Sequence, residues 1–170
     1  MANKITKPKL EDVINEVLTG DAYNNALDFV MFLRENKITT PWSATNSWKL
    51  RFKGKNIGFI STFGTAPYRG LAENSWHICF TDSTFVDNDT VCDRQYALTE
   101  KQKNIVWDTL RNCQKCPYLC NPGKPMTIFG KEFDSVCHQW LSLVNPDADA
   151  LESAKKMVLL CKNTYEISGR

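Results

Sequence analysis

No run of about eighteen apolar residues occurs anywhere in the chain, which removes a membrane-spanning helix from consideration. The amino terminus, Met-Ala-Asn-Lys-Ile-Thr-Lys-Pro-Lys, also lacks the apolar stretch of a signal peptide, so the expectation is a cytoplasmic protein without a membrane partner. Charge of one sign is equally scarce. The 21 basic and 19 acidic residues leave a net +2, too small an excess for the broad positive surface of generic nucleic-acid binding. Seven cysteines cannot all be paired with one another, which argues against a secreted disulfide framework and for reduced thiols that bind metal, react or pack. Among catalytic patterns, no Ser-His-Asp order and no pair of acid and base carboxylates in a recognisable setting stands out. Asn121-Pro-Gly-Lys124 is too short for a phosphate-cradling loop and is followed by Pro125. Asp82, Asp87, Asp89 and Asp93 lack the glycine and terminal glutamate of a calcium loop and read as a solvated acidic connection. Repeats and low-complexity tracts are absent, and no linker divides residues 1–170.

What the chain does have is an ordinary globular composition, 42% hydrophobic and 24% charged, in a length that buries a real core. Its sharpest chemistry is a cluster of thiols. Cys113, Cys116 and Cys120 fall within eight positions, interrupted by Pro117 and followed by Pro122 and Gly123, and Cys137 comes next in the chain. Such a loop buries too little to hold its own shape. Four thiolates supply the soft ligands of a closed tetrahedral zinc site, so Cys113, Cys116, Cys120 and Cys137 are the candidate metal ligands. An iron–sulfur cluster takes the same four groups, although the spacing departs from the ferredoxin run. The alternatives are a disulfide or redox switch using Cys116 and Cys120, and inert thiols that simply pack. His138 is placed for the surface more than for ligation.

The hydrophobic pattern predicts an α+β fold, with helices over 10–18, 22–36 and 99–110, another spanning Phe133 to Val144, and a last one beginning at Pro146. Thr99 and Gln102 form a capping box for the third of these. Helix 22–36 reads as apolar nearly all round, and the helix over 133–144 turns Cys137 inward. Strands are expected at 48–53, 57–63, 75–81 and 126–129, the first two joined as an antiparallel hairpin through Lys53-Gly54-Lys55-Asn56. Residues 9–97 thus read as a helix pair plus an antiparallel sheet of three or more strands, and 98–170 as a helical part stapled by the cysteine loop.

Aromatic residues crowd the sheet and its loops. Trp42, Tyr68 and Trp76, with Arg69 and His77 as polar fixing groups, form a candidate pocket for a flat small molecule. Core packing is the ordinary use of such rings. The row Lys49, Arg51, Lys53 and Lys55 reads as a charged outer face. The run from Trp48 to Phe59, followed by Trp76-His-Ile-Cys-Phe80, resembles the YdhG-like group of small bacterial α+β proteins, and the cysteine-rich tail is similar to tails of uncharacterised bacterial proteins. That resemblance implies a helix-backed antiparallel sheet and little about activity. The functional expectation is a small-molecule-binding or sensing module with structural zinc, with a thiol-based redox enzyme or switch as the alternative.

Overall fold

A computed structural model describes residues 7–62, 72–83, 98–113 and 123–167. In chain order the elements are α1 (Leu10–Val17), α2 (Gly20–Glu35), β1 (Trp42–Ala44), β2 (Ser47–Phe52), β3 (Lys55–Thr62) and β4 (Trp76–Phe80). They continue with α3 (Glu100–Asp108), β5 (Leu110–Asn112), β6 (Lys124–Ile128), β7 (Lys131–Val144) and α4 (Ala148–Ile167). The fold is α+β. The seven strands make one antiparallel sheet in the order β1-β2-β3-β4-β7-β5, with β6 also paired to β7. No helix among the described residues is long and apolar enough to cross a membrane.

Local chemistry explains most of these elements. In β2, Trp48, Leu50 and Phe52 are buried while the residues between them are only partly so, which is the period of two of a half-buried strand. Phe52 pairs with Lys55, so the connecting turn is Lys53-Gly54 alone. Both residues have positive φ, 46° and 81°, as a two-residue turn matched to strand twist demands. Phe129 and Gly130, at 48° and 82°, repeat the device between β6 and β7. In β3 the register slips between Leu50↔Gly58 and Arg51↔Asn56, leaving Ile57 as the extra residue of a bulge. The Ile57 carbonyl accepts N–H groups from both Thr81 (3.1 Å) and Asp82 (3.3 Å). Gly58 is required there, because a Cβ would lie 2.2 Å from the Cys79 carbonyl oxygen.

The helices lay apolar stripes on one face of this sheet. Leu10, Val13 and Ile14 of α1, Ala26, Phe29, Val30 and Leu33 of α2, and Leu151, Met157, Val158 and Cys161 of α4 join Trp48, Leu50, Ile60, Ile78 and Phe80 in a single core. Helix α2 is one-sided, not apolar all round, since Met31 is 59% exposed. The capping box of α3 is present: the Gln102 N–H donates to Thr99 Oγ1, and the Thr99 N–H donates to Gln102 Oε1. Asp147 begins α4 by accepting the Ala150 N–H at 2.9 Å, a role the sequence pattern assigns to Asn145-Pro146.

One expected helix is absent. Residues 131–144 form the longest strand of the sheet, not the amphipathic helix their pattern suggests. Asn112 pairs with Val136 and Leu110 pairs with Leu141, so two steps along β5 match five along β7. This large bulge displaces the buried positions to 136, 140, 141 and 143, a spacing close to a helical repeat and unlike strict alternation. Val144, which the helical reading buries, is 53% exposed. Residues 98–167 therefore add three strands to the common sheet as well as two helices.

Candidate functional site

Strand pairing, not helix packing, positions Cys113 and Cys137. The Cys113 N–H donates to the Ser135 carbonyl at 3.0 Å, extending the β5–β7 ladder. Cys137 is two residues further along β7, and such diagonal neighbours lie about 7–8 Å apart across an antiparallel pair. Both thiols are partly buried. A Cβ on Gly123 would lie 2.3 Å from Cys113 Cβ and 2.6 Å from Ser135 Oγ, so Cys113 and Gly123 lie side by side. Cys116 and Cys120 lie outside the described residues. Among the described residues, no group of three or more His, Cys, Asp or Glu side chains is placed to hold a metal. Cys79 and Cys161 are buried elsewhere. Burial pushes the Cys161 thiol well above its ordinary value, and the nearby Asp82 carboxylate adds to the shift. Asp82 itself accepts the Tyr165 hydroxyl at 2.5 Å, while its backbone carbonyl takes the Trp140 indole N–H at 2.9 Å.

The aromatic set is dispersed. Trp76 is fully buried on the helix side of β4, its ring 6.0 Å from that of Phe29. Trp42 stands opposite Trp48 and packs against the same core. The indole N–H groups of Trp42 and Trp76 are both buried without a hydrogen-bond partner. His77 points to the other face, where its Nε2 is 2.7 Å from Ser142 Oγ and its cross-strand neighbours are Ser61 and Val144. Trp76 and His77 therefore stand back to back, on opposite faces of β4. Tyr68 and Arg69 lie outside the described residues. On the face away from the helices, Ser61, His77 and Cys79 are nonetheless buried, and Ser47 Oγ lies 3.1 Å from Ser61 Oγ.

A different region has the shape of a binding site. Where the first turns of α2 and α4 come together at one end of the sheet, an open cleft of about 700 Å³ is lined by residues 19–22 and 145–148 together with Asn25 and Asn74. Its walls are fixed by amide side chains. Asn145 leaves β7 with φ at 42° and uses its side chain to continue the ladder. Its N–H donates to the Trp76 carbonyl (3.0 Å), its Oδ1 accepts the Trp76 N–H (2.9 Å), and its Nδ2 donates to the Asn74 carbonyl (3.3 Å). Asn74, at φ 55°, accepts the Thr19 N–H through its own Oδ1 at 2.7 Å. Asn25 Nδ2 donates to the Pro146 carbonyl at 3.0 Å. The Thr19 side chain makes no cap, so first-turn amides of α2 keep their donor capacity where Gly20 to Ala22 border the cleft.

The cleft is mixed in charge. Two helix amino termini bring positive dipole ends to it, and Asp21 and Asp147 bring carboxylates. Such a lining offers donors and acceptors together, which suits a polar neutral or zwitterionic small molecule. Sequence reasoning missed this site because Gly20, Asn74 and Asn145 each look like local punctuation, and only the fold brings them to one place. No family model matches the chain, and no curated protein and no solved structure matches it.

Proposed function

We propose that the chain is a small-molecule-binding module whose cysteine-rich segment is held by a structural zinc ion. One observation carries the binding reading: a cleft of ligand size whose polar walls are locked by interlinked asparagine amides before any ligand arrives. A pre-set wall loses little freedom on binding, and its uncommitted donors and acceptors give orientation. The test is a titration with free amino acids, followed by the backbone amide resonances of Gly20, Asn74 and Asn145. Saturable shifts at these positions are expected, and their absence at millimolar ligand overturns the reading.

The zinc part rests on the contact between Cys113 and Gly123 and on the β5–β7 register, which bring Cys113 and Cys137 to one end of the sheet. Cys116 and Cys120, which the reading takes as the other two ligands, lie outside the described residues. Elemental analysis of protein purified without added metal is expected to give about one zinc per chain, as a closed four-ligand site requires. Cys137→Ser should abolish it. Metal-free protein that forms a reversible disulfide would instead favour a thiol redox switch.

A further inference from the structure

The chain has no carboxylate between Glu35 and Glu73, yet this stretch carries Lys37, Lys49, Arg51, Lys53, Lys55 and Arg69. The whole chain is +2, so removing these six leaves −4 for the remainder. Charge is segregated in a protein that is nearly neutral in total. Lys49 and Arg51 stand on the sheet face away from the helices, because they alternate with the buried Trp48, Leu50 and Phe52. Neither has an acidic neighbour across the strands. Lys49 is opposite Phe59 on one side and its amide donates to the Pro41 carbonyl on the other, while Arg51 lies between Asn56 and Thr39.

A cation on an outer antiparallel face is stabilised by a carboxylate directly across from it. Here, among the described residues, Lys49 and Arg51 make no ion pair. Both are partly buried, and Arg51 Nε is shut from water without a hydrogen-bond partner. The amide of Asn56 does not resolve this. Its Nδ2 donates to Thr81 Oγ1 at 3.3 Å, and its Oδ1 is itself buried and unpartnered. A desolvated guanidinium N–H with no acceptor costs free energy, and because Arg51 as a whole is only partly buried, an anion drawn to the rest of its fork would offset that cost.

We propose that Lys49 and Arg51 together bind the oxyanion group, phosphate or carboxylate, of a small molecule on the outer face of β2. The two side chains leave the strand about 6.8 Å apart, the distance of two residues, so both reach one tetrahedral or planar anion. Arginine contributes a planar fork of donors and lysine a mobile point charge, a combination that favours a doubly charged group. Two cations flanked by Phe59 and by uncharged Ser47 and Thr39 form a local site, unlike the extended positive track that a nucleic-acid strand requires. This site is separate from the asparagine cleft and stands independently of it.

The experiment is calorimetric titration of the full chain with inorganic phosphate and, separately, with malonate, accompanied by NMR of the Arg51 Nε–H signal. Saturable binding of at least one anion that moves this signal is expected, and the stronger ligand identifies the source of the oxyanion. Arg51→Gln should weaken binding by about tenfold or more, as loss of a charge-assisted contact does. Arg51→Lys, which keeps the charge, should weaken it by a smaller factor, with folding of both variants checked by their amide spectra. Lys103→Gln, on α3 where the lysine pairs with Glu100, should leave affinity within about twofold. The proposal is overturned if neither anion binds saturably at about 10 mM, or if both Arg51 variants match the parent. Binding of single-stranded DNA with neither small anion bound would overturn it as well.

Discussion

Asn145 offers the most direct test of how the cleft is built. Replacement by alanine removes the Oδ1 that accepts the Trp76 N–H and leaves that donor at a buried strand start without a partner, at a cost of about 1–3 kcal/mol. It also removes the longer bond to the Asn74 carbonyl, worth about 0.5 kcal/mol. Alanine must further occupy φ 42°, a left-handed position that costs a side chain with no local hydrogen bond about 1 kcal/mol. The sum is about 3 kcal/mol, equivalent to about 6–12 °C in Tm for a chain of this length. Glycine relieves the backbone cost but not the lost bonds, so Asn145→Gly should fall near 2 kcal/mol. Asn145→Asp keeps the acceptor and tolerates the left-handed backbone, and should cost about 1 kcal/mol. Urea denaturation of the three variants measures the series. An alanine variant within about 0.5 kcal/mol of the parent, or one more stable than glycine, would refute the view that this side chain completes the ladder.

Other perturbations probe other parts. Gly58→Ala pushes a Cβ into the Cys79 carbonyl at the β3 bulge and should cost about 2–4 kcal/mol, whereas Gly54→Ala, in open space, should cost about 1 kcal/mol through its positive φ; equal losses in urea denaturation would contradict the packing argument. Cys161 holds its proton in the folded state at pH values where an unfolded thiol, with an ordinary value near 9, releases it. Its contribution to stability is therefore fully present below about pH 9 and lost as pH rises further, so the alkaline fall in Tm should flatten in Cys161→Ala. Zinc stoichiometry and its loss in Cys137→Ser test the proposed metal staple, and anion titration of the Arg51 variants tests the outer face of β2.

The sequence was most legible where structure depends on near neighbours. Trp48 to Phe52 alternate cleanly, Lys53-Gly54 can hardly be anything but a turn, and Thr99 with Gln102 announces the start of α3. Val136, Trp140 and Leu141 misled because a bulge facing β5 spaces them like helical residues, and nothing local reveals which strand they will face. Cys113 and Cys137 come to neighbouring rungs through a strand register, which nothing in their local sequence reveals. The cleft was hidden for a related reason: its walls come from residues 19–25, 74 and 145–148, each an unremarkable turn or cap when read alone.

The placement of β7 also governs how the chain can mature. Its carboxyl half closes the open edge of β4, yet His77 and its partner Ser142 are 65 residues apart. As the polypeptide leaves the ribosome, the β2-β3-β4 meander must wait with one row of backbone donors and acceptors uncovered while those residues are synthesised. The interval in which the nascent chain is most open to edge-to-edge association therefore ends only when Val144 has emerged.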